Sequence, residues 1–156
     1  MDRPERFRLF AAVFVLIMKD DTVLLGRRQN TGFYDDYYAL PSGHLEGNEA
    51  LTAAAIREAK EEVGITIIPS DLEFIHLAHL ASRDDGPIGG EPREYLYSCF
   101  KVTRWTGEPT IGEPDKCDEL IWVPLATPPE KTLPYVKDIL PLIARGERFS
   151  EHAWEA

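Results

Sequence analysis

The stretch REAKEEVG, Arg57 to Gly64, crowds three glutamates into five residues and then stops at a glycine. Glu58, Glu61 and Glu62 stand at i, i+3 and i+4, so a helix carries them on one arc. Like charges at this spacing cost about 0.2–0.5 kcal/mol per pair. Carboxylates in a last turn also face the negative end of the helix dipole, at about 0.3–1 kcal/mol each when exposed. The total, on the order of 1–3 kcal/mol, is small enough for a solvated acidic face. It nevertheless asks for a compensating cation, and hard divalent ions such as Mg²⁺ take oxygen donors of this kind.

The chain around these residues must hold them in place. Residues 49–63 read as a helix, with Asn48 as N-cap and Gly64 as the C′ stop. On a helical wheel Thr52, Ile56, Ala59 and Val63 share the side that packs on a sheet, opposite the glutamates. Ala53, Ala54 and Ala55 keep the preceding turn slim, so other backbone can approach. Upstream, residues 9–18 and 22–27 read as strands joined near Lys19-Asp20-Asp21. A polar, aromatic loop, QNTGFYDDYY, follows, and then ALPSGHLEG, where Pro41, Gly43 and Gly47 forbid a regular helix. Residues 72–82 and 93–105 read as a second strand pair, linked by a mobile RDDGPIGGEP. Residues 119–123 read as a short strand, and 132–144 as an apolar helix begun near Pro134 and kinked or broken at Pro141. This order of strands and helices predicts an α+β fold.

Composition narrows the setting. At 156 residues the simplest organisation is one domain over 1–156, with an acidic C-terminal tail from about 146. The apolar run LFAAVFVLIM follows three arginines, as a signal peptide would, yet Asp2 and Glu5 dilute the basic end and no cleavage site follows. A buried strand accounts for it, and no membrane span is expected. Cys99 and Cys117 give no disulfide framework, and each reads as a buried, inert thiol in a reducing cytoplasm. The four histidines, His44, His76, His79 and His152, do not stand at zinc-finger spacing and read as surface or satisfied strand positions. A net charge of -10 repels duplex nucleic acid. An anionic substrate therefore needs a cation between itself and the protein.

From Gly43 the chain reads GHLEGNEALTAAAIREAKEEVGI. This resembles the signature of the Nudix hydrolases, G-x5-E-x7-R-E-U-x-E-E-x-G-U, where U is a bulky apolar residue. Ala59 alone departs, being smaller than usual. Chance would produce such a match roughly once in a billion starting points. The resemblance implies a mixed central β-sheet packed between helices, an α/β/α sandwich. It also implies an enzyme that hydrolyses nucleoside diphosphates linked to another moiety, using a metal-activated water. By position, Glu58, Glu61, Glu62 and the Gly43 carbonyl would hold Mg²⁺, with Mn²⁺ as a substitute. Arg57 would orient the glutamates, helped by Glu49, and Glu58, Glu61 or a glutamate from a loop would serve as general base.

RWTGEPTIGE, Arg104 to Glu113, is similar to the R-W-x-G-E-P segment of MutT-like nucleoside triphosphate pyrophosphohydrolases. That likeness gives Glu113 a metal-site role and Arg27 or Arg28 a phosphate contact. His44 replaces the lysine often found beside the first glycine. Asn30 and Tyr38, with Phe33, Tyr34 and Tyr37, lie on the loop before the box and could meet a nucleobase, although packing is the commoner use of such rings. Trp122 reads as core. The expected reaction turns a nucleoside triphosphate into the monophosphate and pyrophosphate. Alternatives are a nucleotide sugar or dinucleoside polyphosphate as substrate, or a nucleotide-sensing module without catalysis. The expected partner is a small nucleotide, and the sequence is silent on oligomeric state.

Overall fold

A computed structural model describes residues 3–82 and 93–153. The expected mobile linker, 83–92, lies outside them. The strands are β1 (Phe10–Lys19), β2 (Thr22–Arg28), β3 (Tyr38–Ala39), β4 (Ser42–His44), β5 (Glu73–Ser82), β6 (Arg93–Val102), β7 (Cys117–Pro124) and β8 (Phe149–His152). Helix α1 spans Leu51–Val63 and α2 spans Pro134–Ala144. A short 3₁₀ turn, Pro69–Asp71, follows α1. Neither helix is long and apolar enough to cross a membrane.

The strand order is β3-β2-β1-β6-β5-β8, with β4 on β1 and β7 on β2. β1 runs parallel to β6 along Phe10 to Ile17, while β2, β4, β5 and β7 make antiparallel pairs. The near-continuous apolar run of β1 is explained by burial on both faces. Its alternate residues divide cleanly. Phe14, Leu16 and Met18 join the core that includes Val136, Ile139 and Leu140 of α2. Val13, Val15 and Ile17 join the core that includes Ala55, Ala59 and Val63 of α1. The sheet therefore lies between the two helices, as an α+β sandwich requires.

Several expectations change. α1 begins at Leu51 rather than at residue 49, and its N-cap is Ala50, with no side-chain cap bond. Asn48 instead adopts a left-handed turn conformation, φ 62°, which asparagine tolerates. Thr52 is exposed, and Glu58 rather than Thr52 shares the buried face with Ala55, Ala59 and Val63. Pro141 does not break α2, which runs on to Ala144. The loop before the box contains the short strands β3 and β4. Part of the expected acidic tail is β8, parallel to β5 from Leu77↔Phe149 to Leu80↔His152. Cys99 is buried as expected, but Cys117 is only half-buried. Trp122 packs against the core and stacks on Trp105 at 6.3 Å. Gly64 ends α1 as expected, in the left-handed region with its N–H on Lys60 O.

Candidate active site

Arg57 organises the acidic helix. Its Nε donates to Glu49 Oε2 at 2.7 Å and its Nη2 to Glu49 Oε1 at 3.0 Å, a forked ion pair. Nη1 donates to Glu58 Oε1 at 2.7 Å and to Glu61 Oε2 at 3.3 Å. Nη2 also reaches the His44 carbonyl at 3.2 Å, which ties the loop after β4 to the helix. The guanidinium pulls the Glu49 carboxyl below its ordinary range.

Strand β4 brings the loop in front of α1. Its pairing with β1, Val13↔Gly43 and Phe14↔Ser42, fixes its height on the sheet. The Glu58 carboxylate lies against Gly43 where any Cβ would stand, so only glycine leaves it room. One residue earlier, the Ser42 N–H donates to Glu62 Oε2 at 3.0 Å.

A second loop reaches the far end of α1, where helix carbonyls lack intrahelical partners. Thr110 N–H donates to Val63 O at 3.0 Å and Gly112 N–H to Glu62 O at 2.9 Å. Gly112 is pressed so closely on the backbone around Glu61 that a side chain would collide with it. This docking carries Glu113 to the carboxylate group, near enough for its charge to act on both Glu58 and Glu62.

The resulting cleft of about 440 Å³ is lined by Glu62 and Glu113 and by Arg27, Arg28 and Asn30. Burial raises the Glu58 carboxyl, and Arg57 opposes that rise. Glu62 keeps a partly exposed side on the cleft. Even so, burial of its carboxyl, with the charges of Glu58 and Glu113 added, pushes it up to about 8. These carboxylates thus share too little positive charge. Lys116 Nζ stands 3.6 Å from Glu113 Oε2, the charge of Arg28 reaches Glu62, and Arg57 is spread over Glu49, Glu58 and Glu61.

An all-oxygen, carboxylate-rich donor set short of cations fits a hard divalent ion. Among the described residues no three side chains are already drawn together tightly enough to hold one. Arg57 Nη1 holds both Glu58 and Glu61.

The residues singled out from sequence divide in two. Gly43, Arg57, Glu58, Glu61, Glu62 and Glu113 cluster around the α1 end of the cleft, and Arg27, Arg28 and Asn30 line it. Arg27 is clamped by Asp118, Nε to Oδ1 at 2.7 Å, and by Glu119 at 3.1 Å. Arg28 Nε donates to Phe33 O at 2.9 Å and Nη2 to Thr31 Oγ1 at 3.1 Å. Asn30 Nδ2 donates to Asp115 O at 3.1 Å. Tyr38 and His44 do not line the cleft. Tyr38 packs against the α2-side core, its hydroxyl near Arg27 and Glu119. The exposed His44 ring meets Phe10 at 5.8 Å and Tyr95 at 5.7 Å. Ser42, Lys116 and Cys117 also line the cleft. Nothing in their residue types or spacing distinguishes them in the sequence.

Comparison with known proteins agrees with this geometry. A family model described as NUDIX domain matches residues 8–144. The chain belongs to the NUDIX family. It is 30% identical over 106 residues to an 8-oxo-dGTP diphosphatase from Proteus vulgaris, covering 68% of this chain and 86% of that protein. It is 38% identical over 65 residues to an ADP-ribose pyrophosphatase from Methanocaldococcus jannaschii, spanning 38% of that protein's length. A crystal structure of a MutT NUDIX hydrolase from Burkholderia pseudomallei superposes with a TM-score of 0.68 at 23% identity, over 86% of this chain and 97% of the other.

Proposed function

We propose that the chain hydrolyses a nucleoside triphosphate to the monophosphate and pyrophosphate, by attack of water at phosphorus. The observation that carries this reading is the meeting of Glu58, Glu62 and Glu113 at a cleft that Arg27 and Arg28 also line. Glu58, Glu61, Glu62, Glu113 and the Gly43 carbonyl are the groups to hold Mg²⁺, or Mn²⁺ in its place. A divalent ion in such a site neutralises phosphate charge and lowers the pKa of bound water.

The remaining work falls to the chain's own side chains. Arg57 gathers Glu58 and Glu61 on one nitrogen in fixed directions, which limits the reorganisation needed when a ligand arrives. Glu58 or Glu61 takes the proton from the attacking water as the new P–O bond forms and the anhydride P–O bond breaks. Arg28, held by Phe33 O and Thr31, offers a positioned guanidinium to the phosphates. Arg27 is occupied by Asp118 and Glu119, so a phosphate contact there requires exchange of an ion pair.

The 8-oxo-dGTP diphosphatase relative supports a triphosphate substrate, and the ADP-ribose pyrophosphatase relative supports a second reading, a nucleotide sugar. A panel of ordinary and oxidised triphosphates, ADP-ribose and a dinucleoside polyphosphate, assayed with Mg²⁺ for product release, separates them. Turnover of a triphosphate that is lost in Glu62→Gln supports the proposal. Turnover of ADP-ribose alone moves the assignment to the second reading. Tight binding of one nucleotide with no turnover of any overturns both in favour of a sensing module.

A further inference from the structure

Three cations line the carboxylate cleft, Arg27, Arg28 and Lys116, and they differ in how firmly they are held. Asp118 forks Arg27, with Nε on Oδ1 at 2.7 Å and Nη2 on Oδ2 at 3.1 Å, and Glu119 adds a contact at 3.1 Å. Arg28 rests on neutral acceptors, the Phe33 carbonyl and the Thr31 hydroxyl. Lys116 has one carboxylate partner among the described residues, Glu113 Oε2 at 3.6 Å, and 60% of its side chain is exposed. A forked guanidinium pair is firm, whereas a single exposed pair of that length is weak. Lys116 is therefore the charge that changes partner with the least rearrangement.

The backbone beneath it is pinned. In the register of β2 with β7, Arg27 faces Glu119 and Arg28 faces Cys117, so Asp118 is an extra residue in the ladder. A bulge of this kind bends the strand and re-aims its side chains. Here Asp118 forks Arg27 while Cys117 lines the cleft. Just before the bulge Glu113 to Lys116 form a turn, closed by Lys116 N–H on Glu113 O at 2.9 Å. The chain after β2 grips that turn. Gln29 N–H donates to Lys116 O at 2.9 Å, Gln29 Nε2 to Pro114 O at 2.6 Å and Asn30 Nδ2 to Asp115 O at 3.1 Å. On the side of α1, Gly112 N–H holds Glu62 O at 2.9 Å. A fixed backbone thus carries an ammonium on a flexible stem.

We propose that Lys116 is a phosphate-binding residue of the cleft, tied to Glu113 until Glu113 turns to the divalent ion. The inference rests on the hydrolase reading, which counts Glu113 among the carboxylates that hold the ion. A carboxylate that gives its lone pairs to a metal has less to offer a neighbouring ammonium, so Lys116 passes to the anion entering the cleft. Its three donors on a four-carbon stem suit it to following phosphate oxygens that move as the anhydride breaks. The pair therefore links the two ligands: neither residue takes up its own while the two hold each other, and each ligand favours the other.

The test begins on the full, metal-stripped chain, with inorganic pyrophosphate as the probe and phosphorus NMR titration as the readout. Glu113→Gln cuts the tie and should tighten pyrophosphate up to about fivefold. Lys116→Met should change the affinity little in the parent chain and should erase the gain in the double variant, the signature of a coupled pair. If Glu113→Gln tightens pyrophosphate equally with and without Lys116, the gain is only a repelling charge removed, and the proposal is overturned. With Mg²⁺ and a triphosphate substrate, Lys116→Met should raise KM and the inhibition constant of pyrophosphate roughly tenfold, with kcat less affected, and Lys116→Arg should restore most of both. Unchanged constants in Lys116→Met overturn the role whatever the turnover. If the pyrophosphate cycle shows the coupling while no nucleotide is cleaved, the anion site stands and the hydrolase reading falls.

Discussion

The carboxylate of Glu58 fills the space that a side chain at Gly43 would need. The obstructing atoms are the end of a flexible side chain, which can swing aside. Gly43→Ala should therefore cost little stability, about 1 kcal/mol or less. The same swing takes Glu58 off Arg57, and displacement of a reacting group by about 1 Å can lower rate 10²-fold. Steady-state kinetics beside a thermal melt check this. Full activity in the variant would show that the position of Glu58 does not matter.

Gly112 makes the opposite prediction. Its neighbours are backbone atoms of Glu61 and Glu62, which cannot rotate away. Gly112→Ala should destabilise the fold by about 1–3 kcal/mol, because the loop must lift and give up its bonds to the end of α1. Chemical denaturation measures the loss. An unchanged midpoint would mean that the loop does not dock as described.

Removing the metal should affect stability as well as turnover. Magnesium at about 100 times its Kd should add about 2.7 kcal/mol to the wild-type chain, and a chelator should remove it. Glu62→Gln should abolish that increment without weakening the metal-free protein. Its amide oxygen can still accept from Ser42 N–H, and one buried charge between Glu58 and Glu113 is gone. Thermal shifts with and without magnesium decide it, and an undiminished shift in the variant would remove Glu62 from the ligand set.

His152 has a signed pH dependence. Burial lowers its pKa below the ordinary 6.5, so the unfolded chain binds the proton more readily than the folded one. Its contribution is present above pH 6.5 and is lost as the pH falls through the lowered folded value. His76 adds to the lowering and Asp138 opposes it. His152→Gln should flatten the fall of Tm on acidification below pH 6.5, relative to wild type. Parallel curves for the two proteins would refute the assignment.

The sequence made the three glutamates after Arg57, the Gly64 stop and the burial of β1 legible, because each is a local pattern of spacing or composition. The burial of Glu58 was not. A wheel shows which residues share an arc, but the cover over that arc is β4, supplied by a loop whose Gly43 leaves no trace of contact. β8 was also hidden. FSEH offers four residues with an exposed Phe149, and its partner β5 lies about seventy positions earlier. The cleft arginines were foreseen as cations near phosphate. That Arg27 is already paired depends on Asp118 and Glu119 in β7, a contact set by strand register.

The chain's last strand is zipped to only one neighbour, at the border of the sheet. Borders drift in evolution more freely than interiors do, since few contacts must change together. A homologue with an intact glutamate box but a different ending would keep the hydrolytic apparatus and lose the imidazole of His152.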